Sequence, residues 1–108
     1  MIAHPASVVL TARIVDWCDD RPDRQTWLVD CLLRHNGGDW GDLDPDDCAV
    51  NDHALHARVG RLLSRYELPD TLTDHSDTDG DGDGAVWIIT DDLSDPDTAT
   101  TILWPSDY

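Results

Sequence analysis

Ala85-Val86-Trp87-Ile88-Ile89-Thr90 and, across a short turn at 93–97 holding Ser94 and Pro96, Thr98-Ala99-Thr100-Thr101-Ile102-Leu103 are two β-branched runs that decide how the chain reads. Both are rich in the residues that fit a pleated, half-buried surface, and the turn between them predicts an antiparallel hairpin. Side chains alternate across a strand, so Trp87 and Ile89 share one face and Ile88 takes the other. A third run of the same character, 61–68, lies upstream. The expectation is three strands.

Towards the N-terminus the period changes. Trp27, Leu28, Cys31 and Leu32 recur at helical spacing within 24–35, with Asp23 placed to cap the start and Asn36-Gly37-Gly38 to end the segment. A further helix is expected to begin with Asp44 as N-cap and Pro45 in the first turn, Asp46 and Asp47 lying near the positive end of its dipole. Cys48, Ala49, Asp52, Leu55 and Val59 would then form its inward stripe, and Gly60 would stop it. The short run 7–10 reads either as a strand or as the lead-in to a helix over 12–19, which Arg21-Pro22-Asp23 breaks. The fold class expected is α+β, helices packed on one face of a small three-stranded antiparallel sheet. At 108 residues and 40% apolar content this is one domain with a modest core.

Charge is distributed unevenly. The formal net charge is −16, and residues 66–108 carry eleven Asp and one Glu with no Lys or Arg. Such a field favours cationic partners, a basic protein surface or a metal ion, and disfavours direct contact with DNA or RNA. The acids are 22 Asp against the single Glu67, and the bases are seven Arg. Asp holds its carboxylate close to the backbone and loses less rotamer entropy on engagement than Glu. The same usage also follows from a GC-rich genome or a salt-adapted proteome. No apolar run approaches the roughly 20 residues of a membrane span, and no basic, then apolar leader opens the chain, so no membrane is expected as partner and a cytoplasmic location is.

Arg34-His35, Gly38-Asp39-Trp40-Gly41-Asp42-Leu43, Asn51, Leu55, Arg61-Leu62-Leu63-Ser64 with Tyr66, Val86-Trp87-Ile88-Ile89-Thr90, and Thr100-Thr101-Ile102-Leu103 with Pro105 and Tyr108 follow one another in a collinear pattern. Over 34–108 this pattern resembles a family of small uncharacterised proteins encoded mostly on plasmids and other mobile elements. The resemblance implies a mobile-element setting and brings no activity with it. It departs at 70–84, where this chain carries an acidic hairpin-loop insertion. Asp77-Thr78-Asp79-Gly80-Asp81-Gly82-Asp83-Gly84 imitates a DxDxDG calcium loop, but Ile88 or Thr90 stands where the bidentate Glu belongs, and the flanks read as strands. A solvated loop tip, with weak cation binding as the alternative, is the reading there.

Cys18, Cys31 and Cys48 are odd in number and lack CxxC spacing, so buried free thiols are expected. Cys31 and His35 stand at i, i+4 and His53 and His56 at i, i+3, a set that two facing helices would have to bring together to bind zinc. Cys31 on an apolar stripe and histidines on a wet face explain the same residues without metal. Cys48 with His53, or Cys31 with His35, has the residue types of a thiol dyad but no orienting group or oxyanion donor. No enzyme signature is present, and no cofactor is expected.

The most motif-like feature is the turn 38–43. Its glycines permit tight geometry around Trp40, which is either a folded anchor or an exposed hot spot for an Arg-rich partner. The expected partner-binding residues are Asp39, Trp40, Asp42, Asp44, Asp46 and Asp47, with Asp91 and Asp92. The function expected is that of an acidic protein occupying the basic groove of a host nucleic-acid-binding defence complex, a CRISPR effector or a restriction enzyme, in the manner of a nucleic-acid mimic. A small metal-binding protein, or a mobile-element accessory module of merely compositional acidity, are the alternatives.

Overall fold

The computed structural model describes residues 7–72 and 84–108. The acidic repeat from 77 to 83 and the reading attached to it lie outside the described residues. Strand β1 (Ser7–Leu10) leads into helices α1 (Ala12–Cys18), α2 (Pro22–Asn36) and α3 (Pro45–Ala57), followed by β2 (Leu62–Glu67), β3 (Ala85–Thr90) and β4 (Ala99–Leu103). Short 3₁₀ turns at Asp70–Leu72 and Pro105–Asp107 complete the trace. Among the described residues no helix is long and apolar enough to cross a membrane.

The strands form one four-stranded sheet in the order β1-β4-β3-β2. The pair β3–β4 is the antiparallel hairpin expected, Ile88 opposite Ile102 and Thr90 opposite Thr100, and β2 pairs antiparallel with β3. The sheet is nevertheless mixed and not a three-stranded antiparallel one. Residues 7–10 are a strand, and they pair parallel with β4, Val8 opposite Thr100. A parallel partner needs a long crossover connection, here three helices and two strands, and a four-residue run carries no local signal of it.

One sheet face carries Leu62, Ser64, Tyr66, Val86, Ile88, Thr90, Thr100 and Ile102. It packs with Trp104 against Ile14, Trp17 and Cys18 of α1 and Leu28 and Cys31 of α2. Trp17 sits edge-on to both Trp27 and Trp104, at 6.0 and 5.2 Å between ring centroids. Arg24 is buried at this junction, donating to the carbonyls of Trp17 (2.8 Å) and Leu72 (3.1 Å) while its guanidinium covers the Trp17 ring. The opposite face buries Ile89 and Leu103, with Tyr108 against Trp87. The C-terminal turn is tied back to the start of α1 by Asp107, which accepts from Thr11 and pairs with Arg13 at 2.7 Å.

Two helix boundaries differ from expectation. Helix α2 starts at Pro22 and not after Asp23, since Pro fits the first helical position and Asp23 then falls in the first turn, where its carboxylate still faces the positive dipole end. Helix α3 begins as expected, with the Asp44 carboxylate accepting from the Asp46 N–H at 2.9 Å. It ends with Arg58 in the left-handed conformation, before Gly60. Its expected stripe is not what it buries: Ala49, Asp52 and Val59 are exposed, and the buried residue is Asn51.

Polar contacts hold α3 along the outer edge of β2. The Asn51 amide donates to the Leu63 carbonyl at 2.5 Å and accepts from the Leu63 N–H at 3.2 Å, doing what a neighbouring strand would do. Further along, the Arg65 N–H donates to the Trp40 carbonyl (3.2 Å), and the Asp42 N–H donates to the Arg65 carbonyl (2.7 Å). The Glu67 N–H then donates to the Asp42 carboxylate at 2.9 Å. Every outward backbone group of this edge is thus taken up between Leu63 and the Glu67 N–H, which leaves no template for an extra strand.

The loop comes this close because residue 41 is glycine. Its φ is +71°, and a Cβ there would run into the Arg65 carbonyl and the Tyr66 ring. Replacing Gly41 by Ala is therefore expected to cost roughly 3 kcal/mol or more, combining left-handed strain with a backbone clash. Urea denaturation measures it. A loss under about 1 kcal/mol would mean that the loop docks on β2 in some other way.

Candidate functional site

The residues expected to bind a partner fall into two places. Asp39, Trp40, Asp42, Asp44, Asp46 and Asp47 lie on the loop between α2 and α3 and on the first turn of α3, along the outer edge of β2 from Asp42 at the Glu67 N–H to Asp47, which shares a cleft with Arg61 and Leu63. Asp91 and Asp92 open the β3–β4 turn at the other end, where the Leu93 N–H donates to the Gly60 carbonyl at 2.8 Å. Asp42 stands at the Glu67 end of β2, whereas Asp91 and Asp92 follow Thr90, which pairs with Leu62.

Within the first group the residues do different work. Trp40 is 4% exposed. Its indole N–H donates to Asp52 at 2.8 Å and its ring stands edge-on to His35, 5.7 Å between centroids. It is an anchor, and an exposed hot spot at Trp40 is ruled out by its burial. Asp39 pairs with Arg34 at 2.8 Å and accepts from the Gly41 N–H at 3.0 Å, and Arg34 with that N–H holds its carboxyl below the usual range. Its carbonyl also accepts from the Tyr66 hydroxyl at 2.6 Å. Asp42 caps the β2 edge, and Asp44 caps α3. Both side chains stay exposed while one oxygen of each is engaged.

Asp46 and Asp47 are exposed on the first turn of α3 and accept none of the hydrogen bonds described above. A cleft of about 320 Å³ beside them is lined by Leu43, Asp47, Val50, Asn51, Arg61 and Leu63. The Arg61 guanidinium is turned onto the Tyr108 hydroxyl at 2.5 Å and over the Tyr108 ring. Together Asp42, Asp44, Asp46 and Asp47 make an acidic ledge whose backbone is fixed on three sides. Asp91 and Asp92 are exposed as well, and the Asp92 carboxylate is lowered by accepting from the Ser94 hydroxyl and N–H.

Beneath this ledge lies a feature that sequence reading assigned differently. His35 is fully buried, its Nδ1 2.5 Å from Ser64 Oγ and its Nε2 2.8 Å from Thr90 Oγ1. Thr90 Oγ1 is in turn 2.9 Å from Thr100 Oγ1. One polar chain thus joins α2 to β2, β3 and β4. Because both ring nitrogens are committed, His35 is not a partner for Cys31 or for a metal. His53 and His56 are exposed on α3, away from that core position. Among the described residues no three His, Cys, Asp or Glu gather to hold a metal ion. The zinc set and the Cys31–His35 dyad are thereby excluded as geometry. Burial pushes the Cys31 thiol up to about 12, away from any thiolate role. Cys18, Cys31 and Cys48 are free thiols, the first two buried. The spacing Leu28, Cys31, His35 was signal enough to place His35 on the core stripe; its partners were not legible.

Comparison of the chain with protein-family models, with curated proteins and with solved structures finds no match.

Burial lowers the His35 pKa from 6.5 to about 4, so the folded protein binds a proton less readily there than the unfolded chain. The stability this gives is full above pH 6.5 and is lost as pH falls from 6.5 towards 4. At 1.36 kcal/mol per unit the loss is on the order of 3 kcal/mol. In a series of urea titrations from pH 7 to pH 4, replacing His35 by Gln should flatten that part of the profile while lowering stability at pH 7. An unchanged profile would show that the carboxylates, not His35, set the acid limit.

Proposed function

We propose that this protein is a non-catalytic acidic inhibitor that occupies the basic groove of a nucleic-acid-binding complex, the host defence complexes of a mobile element's recipient being the target class. The observation that carries this reading is the acidic ledge at the start of α3. Asp42, Asp44, Asp46 and Asp47 stand exposed on a loop and helix turn held by the Gly41–Arg65 bridge, the Asp44 cap and the Asn51 contacts. Arg34 is committed to Asp39, and Arg61, which shares a cleft with Asp47, is turned onto Tyr108.

Acids are exposed on α1 and α2 too, Asp16 and Asp30, and at Asp19 just after α1. What sets the ledge apart is the run of four acids within residues 42–47 on a capped and docked helix start. Duplex DNA presents about one charge per 1.7 Å of axis. A Lys/Arg surface shaped for such an array gains most from carboxylates that need no ordering on binding. Asp91 and Asp92 add two further exposed carboxylates at the Leu62 end of the sheet. The mobile-element setting rests on the resemblance over 34–108, and a CRISPR effector or a restriction enzyme both fit the target class.

Retention of host proteins on the immobilised chain, identified by mass spectrometry, tests the reading. The captured partner should be a nucleic-acid-binding complex that nucleic acid displaces. Its affinity should fall at least tenfold between low and physiological salt, since rim charges are screened within about 8 Å at 0.15 M. Affinity that does not change with salt would sink the electrostatic account. Replacing Asp44, Asp46 and Asp47 together by Asn keeps a cap-competent residue at 44. That triple should weaken binding more than the equal charge change at Asp77, Asp79 and Asp81, because carboxylates on a docked helix start need no ordering on binding. A larger loss from the second triple would move the functional surface onto the insertion.

A further inference from the structure

The two edges of the sheet are treated in opposite ways. The β2 edge is closed by Asn51, by the 40–42 backbone and by the Asp42 carboxylate. Strand β1, the other edge, has no neighbour beyond it among the described residues. The Thr11 N–H donates to the Ile102 carbonyl at 3.2 Å. Since alternate residues of a strand turn their backbone groups to opposite sides, those of Val8 and Leu10 point to the open edge.

Beside that edge runs a groove of about 270 Å³ between β1 and α2, lined by Val8, Leu10, Leu28, Val29 and Leu32 with Gln25 and Cys18. No lining residue is charged, on a chain of net charge −16. The apolar surface continues up α2: Val29 is 55% exposed and Leu33, one turn later, 63%. An open strand edge and an exposed aliphatic stripe therefore border the same groove.

We infer that this face is a homodimer interface, in which β1 pairs antiparallel with β1 of a second copy about a two-fold axis perpendicular to the sheet. One operation satisfies both features. It continues the sheet to eight strands and brings the Val29–Leu33 stripe of one α2 against the same stripe of the other, a self-complementary arrangement. The occupant is a second copy and not a basic protein, because the groove offers nothing to a cation. The groove itself sets no charged side chain of one acidic chain against the other. Association here opposes the net repulsion of the two chains, so salt strengthens it, whereas salt weakens the binding described under the proposed function. The two readings thus fail independently.

Sedimentation of the full chain over a concentration series, in low and high salt, tests the inference. The expected result is a species of twice the 12.0 kDa chain mass that grows with concentration and with salt. Replacing Val29 and Leu33 together by Glu, both good helix positions at the surface, should weaken the dimer at least tenfold and leave circular dichroism and thermal midpoint unchanged. A monomer under every condition would overturn the inference, as would a dimer indifferent to the Val29→Glu/Leu33→Glu pair. A chain that dimerises only after residues 1–6 are removed would also overturn it, by showing that the groove is covered from within. So would a monomer whose pair variant loses capture of the host complex, which would give the edge to a strand of the target.

Discussion

A backbone bridge between Gly41 and Arg65 is the contact on which most of this structure depends. It forms because the loop carries no side chain where it meets β2, and its consequences run in both directions along the chain. Towards the N-terminus it stations Trp40 against His35, so the loop roofs the polar chain His35–Ser64–Thr90–Thr100 and shields it from water. Towards the C-terminus it fixes where α3 begins, which sets Asn51 against Leu63 and Asp52 against the Trp40 indole. A buried hydrogen bond is worth only about 1 kcal/mol net, but an unmade one costs the full desolvation of its groups. The polar core therefore requires the roof, and the roof requires the glycine.

What could be read from the sequence follows from the range of the physics involved. The hairpin β3–β4 is legible because alternation and turn chemistry are local, and its first strand falls on the expected residues. The start of α3 is legible for the same reason, Asp44-Pro45 being a cap and first-turn pair. The parallel pairing of β1 is not, since its partner lies at the far end of the chain. Helix α3 was misread because hydrophobic period assumes that apolar residues are the ones buried. Here the helix is held by an amide and a carboxylate, and Val50 is left in water. At the candidate site the cap residues Asp44, Asp46 and Asp47 were legible from position alone. The differing duties of Asp39 and Asp42 were not, because their partners, Arg34 and the Glu67 N–H, are set by tertiary packing.

The charge balance has a structural reading too. Among the described residues, Arg13 pairs with Asp107, Arg21 with Asp23, Arg34 with Asp39 and Arg65 with Glu67. Three of these pairs are at least a third exposed on both sides, where an ion pair contributes 0 to about 1 kcal/mol. Their effect is to hold bases against particular acids, and the carboxylates of the α3 ledge and the β3–β4 turn are among those left without a base in these ion pairs.

The closed and open edges of the sheet bear on one another through geometry. Strand β2 with its acidic ledge and strand β1 with its neutral groove are at opposite ends of the strand order, so pairing through β1 leaves both ledges at the outer ends of the joined sheet. Seven interstrand steps of about 4.8 Å put the two β2 strands roughly 34 Å apart before twist is allowed for. That is close to the separation of half-sites one helical turn apart on duplex DNA. On the proposed function a monomer would offer a basic groove one short patch of fixed carboxylates, and the proposed dimer would offer two at a spacing near one turn of duplex DNA, so the two proposals would be served by a neutral edge at one end of the sheet and an acidic one at the other.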